Sequence, residues 1–143
     1  LMDDMLETMY AANGIGLAAI QIGIPKRIIV MDISKNGEKN PMYFVNPIIK
    51  NKDKDKTTYE EGCLSVPDYF AEVDRPKYCE VEYLDYNGEN KILEADGLLA
   101  TCIQHEMDHL EGILFIDYLS KLKKTMIVKK LSKKKNNPDR IIV

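Results

Sequence analysis

Histidine is scarce in this chain, with two among 143 residues, and cysteine occurs three times. An odd, sparse set (Cys63, Cys79 and Cys102) excludes the dense disulfide framework of a small secreted domain and points to a reducing, cytoplasmic compartment. No apolar run approaches the roughly 18 residues that a membrane helix needs, because charge interrupts each one within about six positions. Internal repeats, linkers and a basic, apolar leader are also lacking. The chain starts at Leu1 inside a helical pattern, with no capping residue before it, so a preceding N-terminal segment of the full protein is expected. With 45% apolar residues, 143 residues suffice to bury one core, and we read 1–143 as a single domain.

Charge is unevenly spread. The formal net charge is −3, yet residues 119–143 carry nine Lys or Arg against one acid, +8, while the residues before them hold eleven basic against twenty-two acidic groups, −11. The basic end includes Lys121, Lys123, Lys124, Lys129, Lys130, Lys133, Lys134 and Lys135, by default a solvated helix face. Nothing in the pattern calls for a membrane or for DNA.

Periodicity gives a coarse architecture. Met2, Met5, Leu6, Met9 and Tyr10 recur at helical spacing and stop at Asn13-Gly14, which predicts a helix over 1–13 followed by a Gly-rich turn. Residues 27–33 and 43–50 are β-branched or aromatic around a turn at 34–40, a hairpin pattern. A charged loop is expected over 50–56 and a strand over 67–73. A second hairpin pairs 79–83 with 91–95 across the turn 85–89. Asp96 or Gly97 opens a long helix through about Glu111, stopped by Gly112, and 119–135 forms an amphipathic helix with Leu122, Met126 and Leu131 among its apolar positions. The fold class is α+β: antiparallel β-sheets packed around a central α-helix, with a C-terminal helix.

The sharpest chemical signal is His105-Glu106-Met107-Asp108-His109. An i, i+4 pair puts two imidazoles on one helix face, and the adjacent glutamate can reach a water between them and a metal. These are the chain's only histidines, and a catalytic metal usually takes a third protein ligand. The metalloprotease continuation with a third histidine fails, because Phe115 stands at that place. The version with a later glutamate fails too, since no glutamate follows Glu111 and only Asp117 and Asp139 remain. Cysteine is left. Cys63 in Glu61-Gly62-Cys63-Leu64-Ser65 is the strongest candidate, Cys79 sits in an alternating strand, and Cys102, one helical turn before His105 and Glu106, is more easily a buried thiol beside the site.

Three segments together resemble the peptide deformylases: Gly14-Ile15-Gly16-Leu17-Ala18-Ala19-Ile20-Gln21, then Glu61-Gly62-Cys63-Leu64-Ser65, then Gln104-His105-Glu106-Met107-Asp108-His109-Leu110. The similarity runs from Leu1 to about Lys135. It implies that Cys63, His105 and His109 bind one divalent metal, with Fe²⁺ favoured over Zn²⁺, Ni²⁺ or Co²⁺, which the same ligands also suit. The implied reaction is hydrolysis of the N-formyl group from the formyl-methionine of a nascent peptide in a bacterium or an organelle. Glu106 would move the protons, and the Gln21 amide with the Leu64 N–H would steady the oxyanion. Ile15 and Gly16 would pair with the peptide backbone, while Ile15, Tyr59, Glu61, Leu98, Thr101 and Cys102 would surround the methionine side chain. The resemblance also puts Arg75 at a place where the family commonly has a substrate-facing arginine, although an exposed loop arginine fits the sequence nearly as well. The basic C-terminal helix could dock on the ribosome. Two rivals stand against this: a metallo-endopeptidase, the usual owner of such a helix, and a purely structural metal site.

Overall fold

The computed structural model describes residues 1–35 and 37–135, the last two by backbone alone. Helix α1 covers Met2–Ala11 and leads into strand β1 (Gly16–Ala18), a 3₁₀ turn (Ala19–Ile22) and β2 (Ile28–Met31). Strands β3 (Met42–Lys52), β4 (Lys56–Cys63), β5 (Val66–Pro76), β6 (Tyr78–Leu84) and β7 (Asn90–Asp96) follow. Helix α2 (Gly97–Leu110), a 3₁₀ turn (Phe115–Tyr118) and helix α3 (Lys121–Lys135) complete the chain. A five-stranded antiparallel sheet runs in the order β1-β2-β3-β6-β7, and β4 and β5 form a separate two-stranded sheet. The α+β class and both expected hairpins are present. No described helix is long and apolar enough to cross a membrane.

The sheet packs on α2 through Ile29, Met31, Phe44 and Val81, which meet Ala100 and Ile103. On the other side of β1 and β2, α1 buries Met5 and Met9 against Leu17 and Val30, which explains the methionine spacing seen in the sequence. Gly97, at φ +55, makes the corner from β7 into α2 in a conformation that side chains disfavour. At the other end, Gly112 at φ +74 lets the Gly112 N–H reach His109 O (3.1 Å) and the Ile113 N–H reach Asp108 O (2.8 Å), a glycine stop of the expected kind.

Four expectations need correction. Residues 16–18 are a strand and not merely a turn, paired Gly16 with Met31 through Ala18 with Ile29. The loop expected over 50–56 shrinks to the three residues between Lys52 and Lys56, because β3 and β4 run into it. The strand expected over 67–73 is longer, Val66–Pro76, and its partner β4 had no alternating signal of its own. Helix α3 packs by Ile127 and Leu131 against Val66 and Phe115, while Leu122 is 73% and Met126 49% exposed. The side chains of Lys134 and Lys135, and the basic end beyond them, lie outside the described residues.

Asp32, buried just past β2, ties three segments together. Its carboxylate accepts from the Tyr10 hydroxyl of α1, from the Ser34 N–H (2.9 Å) and hydroxyl, and from the Asn40 N–H (3.0 Å), while its own N–H donates to Ile15 O (2.9 Å). Burial alone would raise its pKa, but the bonds from Ser34, Tyr10 and Asn40 prevail and hold it at about 2. A depressed carboxylate stabilises the fold above its unfolded value of 3.8 and loses that contribution as pH falls through about 2. Asp32→Ala is expected to cost about 1–3 kcal/mol at neutral pH, measured by denaturant unfolding, with the gap to wild type closing in acid.

Candidate metal centre and active site

The centre forms where the turn between β4 and β5 meets α2. His105 and His109, one helical turn apart, direct their Nε2 atoms to within 3.3 Å of each other. Cys63, the last residue of β4, brings its Sγ to 3.2 Å from His109 Nε2. The three ligand atoms all lie within 4.8 Å of one another. Metal–nitrogen bonds of about 2.05 Å at tetrahedral angles place two nitrogens roughly 3.3 Å apart, which matches the observed histidine separation. Charge agrees with geometry. Burial opposes ionisation, yet hydrogen bonds from His105 and His109 draw the Cys63 thiol down to about 6, and bonds to Cys63 and Glu61 hold His105 up to about 10. The cluster therefore favours positive charge at its middle, and its sulfur and nitrogen donors fit a divalent transition metal.

The surrounding groups orient these candidate ligands. Glu61 lies two residues before Cys63 on β4, and its Oε1 lies 2.8 Å from His105 Nδ1. A carboxylate only accepts, so Nδ1 carries a hydrogen toward Glu61, which leaves Nε2 as the nitrogen turned toward His109 and the middle of the cluster. The arginine expected to face substrate or a solvent loop does neither: Arg75 lies within β5, 4% exposed. Its guanidinium donates to Glu61 at 2.7 and 3.0 Å and to Asp108 at 2.7 Å, so it is spent on holding the hairpin to α2. Glu61, expected in the methionine pocket, lines the cleft but gives its carboxylate to His105 and Arg75.

Glu106 is buried, and its Oε2 has no hydrogen-bond partner. Burial raises its pKa, and with opposing help from His105 and His109 it settles at about 7, where a carboxylate can both take and return a proton. Opposite it, a Cβ on Gly16 would fall 2.8 Å from Glu106 Oε1 and 3.1 Å from Cys102 Sγ, so only glycine lets β1 pass this close. Gln21 is oriented unambiguously. Its Oε1 accepts the Ala18 N–H (2.9 Å), which turns Nε2 toward Ser65 Oγ (2.9 Å) and Cys63 Sγ (3.5 Å).

These groups line one cleft of about 550 Å³. Its walls include Ile15, Gly16, Tyr59, Leu98, Thr101 and Cys102, together with Gln21, Leu64, His105 and Glu106. His109 stands behind them. Cys79 is buried within β6 of the main sheet and does not line the cleft. Phe70, 66% exposed at the rim, was missed from the sequence; its ring lies against Gly62, its cross-strand partner, where a Cβ would meet it at 2.5 Å. Only the β4–β5 register reveals that pairing.

If Cys63 is the third ligand, Cys63→Ala should abolish stoichiometric metal binding, a loss exceeding the roughly 100-fold ceiling for groups that merely orient ligands, whereas Cys79→Ala should keep the metal. Metal analysis after dialysis distinguishes the two.

Comparison with known proteins agrees with this geometry. The polypeptide deformylase family model matches residues 1–125. The peptide deformylase of Pelagibacter ubique (strain HTCC1062) is 76% identical over 144 residues, covering 100% of this chain and 83% of that protein. That of Rhizobium meliloti (strain 1021) is 59% identical over 134 residues, covering 93% and 77%. The crystal structure of peptide deformylase from Ehrlichia chaffeensis superposes with a TM-score of 0.89 at 45% identity, covering 94% of this chain and 80% of that one. On these matches the chain belongs to the peptide deformylase family, metal-dependent hydrolases that remove the N-formyl group from nascent peptides.

Proposed function

We propose that residues 1–143 are one catalytic domain carrying out the family reaction on newly made formyl-methionyl polypeptides in the cytoplasm, with Cys63, His105 and His109 as the metal ligands. The observation that carries the assignment of roles is Glu106, a buried carboxylate with an unpartnered oxygen, next in sequence to one ligand and inside the same cleft. A purely structural metal site would leave that costly group without a task.

The divalent metal supplies Lewis acidity and lowers the pKa of water when bound. Glu106, poised near neutrality, takes the proton of the attacking water and returns it to the nitrogen as the formyl C–N bond breaks, giving formate and a free amine. The Gln21 Nε2–H, pinned by Ala18, and the Leu64 backbone N–H serve as the oxyanion donors. Strand β1 is an edge of its sheet, so Gly16 and the segment entered from Ile15 offer an extended peptide the side that β2 does not pair. Ile15 and Leu98, 44% and 36% exposed, supply apolar surface with Tyr59, Thr101 and Cys102 for the methionine side chain.

The resident metal is Fe²⁺ in this reading, and Zn²⁺, Ni²⁺ or Co²⁺ can occupy the same ligands in purified protein. The partner in the cell is the ribosome. The lysines of α3, with exposed Leu122 and Met126 among them, suit a polyanionic surface.

Anaerobically purified protein should release formate from formyl-Met-Ala-Ser and nothing from acetyl-Met-Ala-Ser. Glu106→Ala should retain its metal and lose about 10²–10⁴ in turnover; full activity in that variant would refute the assigned role. Iron-loaded enzyme should lose activity in air through oxidation at or beside the thiolate, while nickel-loaded enzyme persists. Ribosome co-sedimentation should weaken with salt and vanish when Lys121, Lys124 and Lys129 are all changed to Glu, with formate release retained.

A further inference from the structure

The 3₁₀ turn between α2 and α3 touches the metal centre by two routes. Phe115 at its start is buried with its ring stacked near His105, centroids 6.1 Å apart at 24°. Tyr118 at its end is 49% exposed, yet its hydroxyl donates to Asp108 Oδ2 at 2.6 Å. The same oxygen receives Arg75 Nη1, and the guanidinium carbon stands 4.9 Å from the Tyr118 ring centroid. Arg75 continues to Glu61, and Glu61 to His105 Nδ1. A hydroxyl, a carboxylate, a guanidinium, a second carboxylate and an imidazole thus form one unbroken chain.

We propose that Tyr118 is a positioning residue for the ligand His105, acting through Asp108, Arg75 and Glu61. Asp108 is the weak link of the chain, since its side chain is 20% exposed and can turn to water unless something fixes it. Tyr118 supplies that fixation. Without the hydroxyl, Arg75 Nη1 would lose its partner in a buried site, and the guanidinium would pivot on Glu61. The pivot shifts the Glu61 oxygen that sets both the tautomer and the ring angle of His105. Packing alone asks less: the Tyr118 ring already covers Arg75, and its hydroxyl could face water at no cost.

This inference rests on the reading of Cys63, His105 and His109 as the metal ligands. Tyr118→Phe keeps the ring over Arg75 and removes only the oxygen. In zinc-loaded protein challenged with a chelator, the variant should release metal about 10-fold faster than wild type, the lower end of what orienting groups contribute. For formyl-Met-Ala-Ser, kcat should fall while KM stays within about two-fold, because the peptide cleft is untouched. Asp108→Asn should act in the same direction, and the double variant should be no worse than the more severe single change, as expected for one chain. Unchanged zinc release in Tyr118→Phe overturns the proposal, even if the melting temperature drops, and so do multiplying effects in the double variant. Zinc that stays bound in Cys63→Ala would instead bring down the metal-centre reading.

Discussion

The candidate ligands come from two elements that share no backbone pairing, so the largely buried Glu61–Arg75–Asp108 ion network is the constraint on which the centre depends. Cys63 belongs to a two-stranded sheet and the histidines to α2. A two-stranded ribbon is marginal by itself. Val66 and Val73 anchor its far side on Phe115, Ile116 and Ile127, but apolar contact tolerates sliding of a size that metal ligation does not. Arg75, forked on Glu61 of its own ribbon and on Asp108 of the helix, sets the separation by directed bonds. Such a network adds little net stability, since each buried ion costs several kcal/mol to desolvate, yet removing one partner costs about 3–5 kcal/mol. Its value is geometric: it admits one arrangement of ribbon on helix.

Helix α2 shows what that arrangement demands. A buried helix is ordinarily apolar all round, but this one buries Thr101, Gln104, His105, Glu106 and His109. Gln104 is satisfied by Pro76 O and Ala100 O, and His105 by Glu61, so those groups are well accommodated. Glu106 Oε2 and Thr101 Oγ1 are left without partners, both on the cleft side. A group that weakens the fold and faces the cleft marks the place where local consistency gives way to chemistry.

Sequence reading succeeded wherever the signal was local. The i, i+4 histidines, the α1 methionines, the second hairpin and the Gly112 stop each depend on residues within a few positions, and all lie where expected. Failures were nonlocal. Strand β4 reads as a polar stretch because Thr57, Tyr59 and Glu61 face inward to pair with Arg75 and the cleft, not with an apolar core. Arg75 read as substrate-facing or as an exposed loop arginine because its two carboxylate partners lie 14 and 33 positions away. In α3 two apolar rows compete, Leu122 with Met126 and Ile127 with Leu131; only the position of Val66 and Phe115 decides that the second is buried.

The three sequence segments that carry the family resemblance are far apart in the chain because each holds a partner for another. Gly16 of the first admits Glu106 of the third, and no side chain could stand between them. Gln21 of the first is aimed at Cys63 and Ser65 of the second. Glu61 of the second orients His105 of the third. A change in any one segment is felt by an atom in another, so the motifs are three parts of a single contact set. Arg75, outside all three, belongs to that set equally, since it bonds both Glu61 of the second segment and Asp108 of the third.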